Sequence, residues 1–464
     1  MGRCRKLVVM MFFALLALTV LVALNDIILA GLYALTDQTT IGQLRFVRDG
    51  LAFGLGAFGL ASRWVPATIR APAFAYLIII AAYGVYGVAG DDLRLAVSSG
   101  AQLIVPGVFF FAGFGCTPDR RRLGVLLSLV CLIAVATTVF GAWDIRNTWF
   151  WADAISYGDY LYDVKGVVTG FHPQEFLPWN FFGFQDGRRA AGLLAAPLAQ
   201  GAYLAVAGTL GYAYLRSRRP ILAHGFLILC ALGVYQSGTR GAMLIMLIAL
   251  PFYLLLSWRR LSGMVRNLAL IGILVALPLE TLMEIGAYTI ALEDGSTIGH
   301  LNALELNFAS VGTVLLTGLG LGAAGAQAAQ SGIEIAGGGE SALFTIVYQI
   351  GAPGALAFLW FYAAAALYLY RRRNSPNRHL FIAMSATAMA AATSLVISEH
   401  LLTVSGMGTF WLLLGACVGV AARQPPLPAL PLNAAETSGC GTTDGQAAPD
   451  NAAAAESRAA AQRG

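Results

Sequence analysis

The chain reads as long apolar runs broken by short polar connections, the pattern of a protein that crosses a bilayer many times. A helix needs about 20 mostly apolar residues to cross roughly 30 Å of hydrocarbon. Twelve stretches approach or meet that length: 7–35, 48–62, 73–90, 96–116, 123–142, 190–215, 221–237, 241–257, 267–285, 341–370, 379–397 and 403–422. The first is interrupted by Asn25 and Asp26. The tenth contains Gly351-Ala-Pro353-Gly354, where proline removes a backbone donor and predicts a kink. Residues 308–323 are apolar but short and rich in Gly, and are expected outside the membrane or at its surface. The basic start, Met1 to Lys6, resembles the opening of a secretion signal. The apolar run behind it continues to about Leu24, too long for such a signal, with no convincing small-residue cleavage site, so a retained first span is expected.

The predicted fold is all-α and polytopic, with about twelve transmembrane helices over residues 1–422 and two long outer loops, 143–189 and 285–340. Loops of that length on one face are usually functional. Beyond Ala422 come Pro425, Pro426 and Pro428, then mostly Ala, Gly, Ser and Thr, so 423–464 is expected to be a disordered cytoplasmic tail.

Composition agrees with the pattern. Apolar residues make up 58% of the 464 and charged ones 11%, against about 45–50% and 25% in soluble domains. Mean hydropathy is +0.70. Placement of charge then gives the orientation. With the N-terminus inside, eight cations fall on the outer side: Arg45, Arg48, Arg94, Arg146, Lys165, Arg188, Arg189 and Arg240. The other 21 of the 29 fall on inner connections or the tail, and every inner connection is basic, as the positive-inside rule demands. Both termini are thus expected in the cytoplasm. No basic run interleaved with aromatics suggests nucleic acid. The six cysteines (Cys4, Cys116, Cys131, Cys230, Cys417, Cys440) show no metal-like spacing, and neither metal nor cofactor is expected.

Candidate chemistry gathers on the outer side. Arg240 opens the eighth run, in Ser237-Gly-Thr239-Arg240, and Arg189 precedes the sixth. Arginine offers a planar fork of donors suited to phosphate, and Ser237 and Thr239 could add donors near a helix N-terminus. An interfacial arginine that snorkels to lipid headgroups is an equally good account. Two such sites together suggest an anion drawn from the membrane, for which a lipid pyrophosphate fits. Glu340, in Gly337-Gly-Gly-Glu340-Ser341, stands where the second loop meets the tenth run. A carboxylate there could act as general base on a sugar hydroxyl, or serve as a helix cap or first-turn acid. His300 and His400 are alternative bases, and His172 a weaker one. Asp26 and Asp49 fall in or near spans and are candidates by default, though pairing with each other or with Arg48 explains them as well. Gly318-Leu-Gly320-Leu-Gly322 follows no strand and lacks a P-loop lysine, so a nucleotide site is not expected.

Taken in order, these residues resemble the O-antigen ligase and polysaccharide polymerase superfamily of bacterial envelopes. Arg189-Ala-Ala-Gly192-Leu-Leu-Ala-Ala-Pro197 resembles its R-x-x-G-x-x-x-x-P. Ser237-Gly-Thr-Arg240-Gly-Ala resembles its S-x-S-R-G-A, with Gly-Thr departing from the usual pair. Leu316-Thr-Gly318-Leu-Gly320-Leu-Gly322 resembles the Gly-rich stretch late in its large periplasmic loop, and Glu340-Ser-Ala-Leu with Gln349-Ile-Gly351-Ala-Pro-Gly354 the helix after that loop. The likeness covers residues 180–370, and the first 140 by hydropathy alone. It implies a GT-C-like fold with the large loop between spans nine and ten, in the bacterial inner membrane. It also implies metal-independent, inverting transfer of a glycan from undecaprenyl diphosphate to a lipid or glycan acceptor. In that scheme Arg189 and Arg240 hold the pyrophosphate, with Ser237 and Thr239 beside them, and Glu340 or else His300 is the base. Family ligases carry a histidine near the end of the loop, where this chain has Gly339-Glu340. A transporter or flippase for a lipid-linked glycan also suits twelve spans, but such proteins often show repeated halves and mid-membrane sites, and no internal repeat is visible here. An anchoring protein without catalysis is the third class.

Overall fold

The computed structural model describes residues 2–36, 38–87, 93–183, 187–257, 295–332, 337 and 339–424. The ninth apolar run, 267–285, and the tail beyond 424 lie outside them. The long helices are α1 (Gly2–Tyr33), α2 (Gln38–Leu60), α3 (Ala67–Gly87), α4 (Leu93–Cys116), α5 (Arg120–Asp144), α6 (Pro197–Arg216), α7 (Pro220–Gln236), α8 (Arg240–Ser257), α9 (Gly295–Val314), α10 (Ala342–Arg371), α11 (Arg378–Ala391) and α12 (Thr409–Arg423). Among the described residues, extended pairing is limited to isolated bridges, Phe171 with Pro178 and Phe182 with Arg188. Among the described residues, eight helices are long and apolar enough to cross a membrane. The chain is an all-helical, polytopic, membrane-embedded protein. α9 is not among those eight, and the Gly-rich stretch behind it is a loop, so 308–323 forms no continuous span.

Each apolar run other than the ninth holds a helix, and the differences lie at the ends. Asn25 and Asp26 do not interrupt α1, because a helix satisfies its backbone internally and their side chains find partners: Asn25 Nδ2 donates to Asp26 Oδ1, and Lys165 Nζ lies 2.8 Å from Asp26 Oδ2. Asp49 pairs with Arg48 at 2.8 Å. The sixth run does not begin as a helix. Residues 190–196 are a strap with a single turn at Gly192–Leu194, and α6 starts only at Pro197, the first-turn position where a missing N–H costs nothing.

The core is apolar and closely spaced. α4 packs most extensively on α12 and on α2, and α10 on α3. Small residues permit this. A Cβ on Gly113 would stand 1.9 Å from Leu412 O, and one on Gly415 would stand 1.8 Å from Phe110 O, so only glycine lets these backbones touch, the usual device where helices associate in lipid. Around that contact Phe110, Phe361 and Trp411 interlock. Phe110 meets Phe361 edge-on at 5.1 Å, and Phe361 stacks on Trp411 at 5.7 Å.

The expected kink in α10 occurs at Ile350 and Gly351, three and two residues before Pro353; Gly351 takes φ +71. The break frees carbonyls and amides, and the Gly-rich loop takes them up. Leu319 N donates to Tyr348 O, Gly320 N to Gln349 O, and Ala352 N to Leu315 O. Gln349 adds its side chain, donating from Nε2 to Ala324 O and accepting from Gly322 N. Backbone groups cannot be left open at membrane depth, and protein must cover them.

Candidate functional site

Arg189 is positioned by three elements that the chain brings together at one end of α5. Asp144, the last residue of α5, is fully buried and accepts from the amides of Ala191 (3.1 Å) and Gly192 (2.7 Å). Thr137, one turn and more back, accepts from Leu193 N at 2.8 Å. The strap from 190 to 196 is thereby tied to α5. It needs Gly192, which has φ +56 and whose Cβ would stand 1.8 Å from Gln200 Oε1 and 2.3 Å from Thr137 Oγ1. Ala190 N donates to Gln236 O, tying the same strap to the end of α7.

From this strap the Arg189 side chain reaches the turn between α7 and α8. Its Nε donates to Ser237 O at 2.8 Å and one terminal nitrogen to Thr239 Oγ1 at 3.2 Å. Ser237 and Thr239 are buried and give their own hydroxyl protons away, Ser237 to Val234 O and Thr239 to Pro197 O. They therefore support Arg189; their hydroxyls are already engaged. Arg240, the next residue, opens α8 close enough to be felt: burial, with repulsion from Arg240 added, brings the Arg189 guanidinium down to about 10, still charged at neutral pH. Both hydrogen bonds of Arg189 run to uncharged oxygens, and no carboxylate among the described residues lies in ion-pair range of it. Two like charges beside one turn favour an incoming anion. Arg188 is turned elsewhere, to Thr148 Oγ1 and Phe181 O, over the Phe181 ring.

Glu340 belongs to a second cluster. It takes φ +56, unusual for a residue with a Cβ, immediately before Ser341. Ser341, not Glu340, caps α10, accepting from Phe344 N. Beside Glu340 stands Glu399, which sequence reasoning did not single out. Only 8% exposed, Glu399 accepts from Thr345 Oγ1 (2.7 Å), Ala326 N (2.9 Å) and Gln102 Nε2 (3.1 Å). Burial pushes its carboxyl above the usual range and the Glu340 charge adds to this, while the three donors oppose it. Near the second cluster, the turn at Ser394–Ile397 touches α8, and the turn at Val404–Gly408 packs on α6. His400 sits between these turns. His300 lies on α9 with its side chain outside the described residues, and Glu293, Asp294 and Glu334 lie outside them altogether. His172 is structural: its Nδ1 accepts from Gln174 N and Glu175 N, and its ring stacks on Phe182. No group of three or more metal-binding side chains occurs among the described residues.

Glu399→Gln tests this reading of the second cluster. A carboxyl whose pKa is raised by folding contributes stability that is complete below its unfolded value and is lost as pH rises through the folded one. The variant stays neutral throughout, and its amide could donate to Gln102 Oε1, which is buried without a partner once the Gln102 amide turns over. Thermal unfolding in detergent is expected to show a flatter pH profile and no loss at neutral pH. Glu399→Ala should instead destabilise by about 2 kcal/mol, since it strands buried donors. A steep profile retained in Glu399→Gln would remove Glu399 as the titrating group.

Comparison with known proteins adds no relative: no family model matches the chain, and no curated protein matches it.

Proposed function

We propose that this chain transfers a glycan from a polyprenyl diphosphate to an acceptor hydroxyl at the outer face of a bacterial inner membrane, with a GT-C-like arrangement of about twelve spans. The observation that carries this reading is the reach of the Arg189 guanidinium to Ser237 and Thr239, on the turn that leads directly into Arg240 at the end of an apolar helix. A diphosphate leaving group develops charge as the glycosidic bond breaks, and fixed guanidinium donors stabilise that charge more than they stabilise the ground state.

In this scheme the acceptor oxygen attacks the anomeric carbon from the face opposite the diphosphate. The new C–O bond forms as the bond to the diphosphate oxygen breaks, and that oxygen leaves with the electron pair. The acceptor proton passes to Glu340, with His300 the alternative base. Glu399 and the cap at Ser341 hold the segment that presents Glu340. Arg240 opens α8 and Arg189 stands eight residues ahead of α6, so neither lies in the middle of a helix, which favours this over transport of a lipid-linked glycan.

The test is glycan profiling of cells carrying Arg240→Ala, with the protein level in membranes checked. Surface glycan is expected to fall about a hundredfold at normal protein level, the cost of removing one transition-state donor. Normal glycan would overturn the assignment and leave transport or anchoring. The intermediate separates the two chemistries: single lipid-linked units accumulate for a polymerase, long lipid-linked chains for a ligase.

A further inference from the structure

At the end of α5 away from Asp144, a cleft of about 580 Å³ is lined by Arg120, Arg121, Gly124, Val125, Ser128, Tyr214 and Arg218. It lies toward the opposite end of a 25-residue helix from the Arg189 strap, and at about 1.5 Å per residue Arg120 stands roughly 35 Å from Asp144. We propose that this cleft binds a phosphate-bearing anion, with the head of an anionic phospholipid as the source its shape favours.

The three arginines that line the cleft are exposed, and one of them is braced. Arg122 is committed to Asp119, at 3.7 Å, and lies over the Phe12 ring. Arg120 and Arg121 are exposed, and no acidic side chain lines the cleft. Arg218 is held in place. It donates to Tyr214 Oη at 2.8 Å and lies 4.8 Å over that ring. Tyr214 in turn meets Ser128 Oγ at 3.3 Å, and Gly124 leaves space for the tyrosine hydroxyl, since a Cβ there would stand 3.3 Å from it. Arginine over tyrosine recurs at Arg216, Arg372 and Arg373; what sets Arg218 apart is that its tyrosine also meets α5, which holds the guanidinium fork in register with Arg120 and Arg121 across the cleft.

The cleft also has a direction. It runs from the arginines at the helix start past exposed Val125 to exposed Ser128, about 10 Å along the axis toward the apolar part of α5. A free phosphate would use only the arginine end. A phospholipid would set its phosphate there and lay the glycerol and upper acyl chain along Val125.

The experiment uses the full chain in detergent, following its unfolding midpoint as phosphatidylglycerol, phosphatidylcholine or inorganic phosphate is added. Phosphatidylglycerol is expected to raise the midpoint of the unmodified chain, while phosphatidylcholine leaves it in place. In a chain carrying Arg120→Gln, Arg121→Gln and Arg218→Gln the apparent affinity for phosphatidylglycerol should fall about a hundredfold, from roughly additive surface contributions. Arg218→Gln alone, which leaves the rest of the cleft intact, should fall part of the way and serves if the triple variant does not fold. A response to inorganic phosphate equal to that for phosphatidylglycerol, lost in the variants, would support the phosphate site and overturn the lipid source. Equal phosphatidylglycerol responses in the unmodified and substituted chains, or none in either, would overturn the proposal.

Discussion

Arg189→Lys is expected to reduce glycan transfer by about two to three orders of magnitude, a larger loss than a conserved charge would suggest. The guanidinium does two tasks at once. Its Nε and one terminal nitrogen are spent on Ser237 O and Thr239 Oγ1, and the remaining donors stay available for an anion. An ammonium has a single nitrogen and cannot brace the turn while facing a diphosphate. If it reaches Thr239 it abandons the ligand; if it turns to the ligand it leaves buried oxygens unpaired. Transfer in membranes carrying the variant, at matched protein level, reads the chemical loss. Binding of undecaprenyl diphosphate to the purified variant should weaken about tenfold or more. A variant that binds and transfers normally would show that only positive charge matters at this position, and the diphosphate reading would lose its geometric support.

Asp144→Ala is expected to be the most destabilising single change near the site, by about 3 kcal/mol. The carboxylate is fully buried and is the acceptor for two consecutive amides, Ala191 N and Gly192 N. Without it those donors have no partner, and the strap that carries Arg189 comes loose from α5. The Coulombic attraction that Arg188 receives from Asp144 disappears as well. Asp144→Asn keeps an acceptor oxygen and should recover much of the loss. Unfolding midpoints of the two variants in detergent check this. Equal midpoints for Asp144→Ala and the unmodified chain would mean that the strap is held by Thr137, Gln236 and packing alone.

Hydropathy located the helices because the bilayer imposes a length on every crossing, and the aromatic and glycine contacts of α4, α10 and α12 follow from runs that are plain in the sequence. What was hidden is instructive. The strap 190–196 is as apolar as the helix after it, so it reads as part of one span. Its break comes from Asp144, 47 residues upstream, offering the amides of Ala191 and Gly192 a better acceptor than the helix would. Glu399 was hidden for a similar reason. Beside His400 it looks like one more polar residue in a short connection, and only folding places Thr345, Ala326 and Gln102 around it. Arg189 and Arg240 were legible as candidates because cations at the side expected to face outward need a reason. That Ser237 and Thr239 are braces rather than additional donors required their buried carbonyl partners to be seen.

The broken helix α10 carries a consequence for how this protein is made. The two halves of the helix cannot rest in lipid by themselves, since their open carbonyls at Tyr348 and Gln349 need Leu319 N and Gly320 N. Those donors lie earlier in the chain, so they leave the ribosome before the residues they complete. The covering loop is therefore already waiting when the break emerges, and a circular permutation that reversed this order would leave the nascent helix exposed at its weakest point. Vectorial synthesis is thus built into the order in which loop and helix are written along the chain.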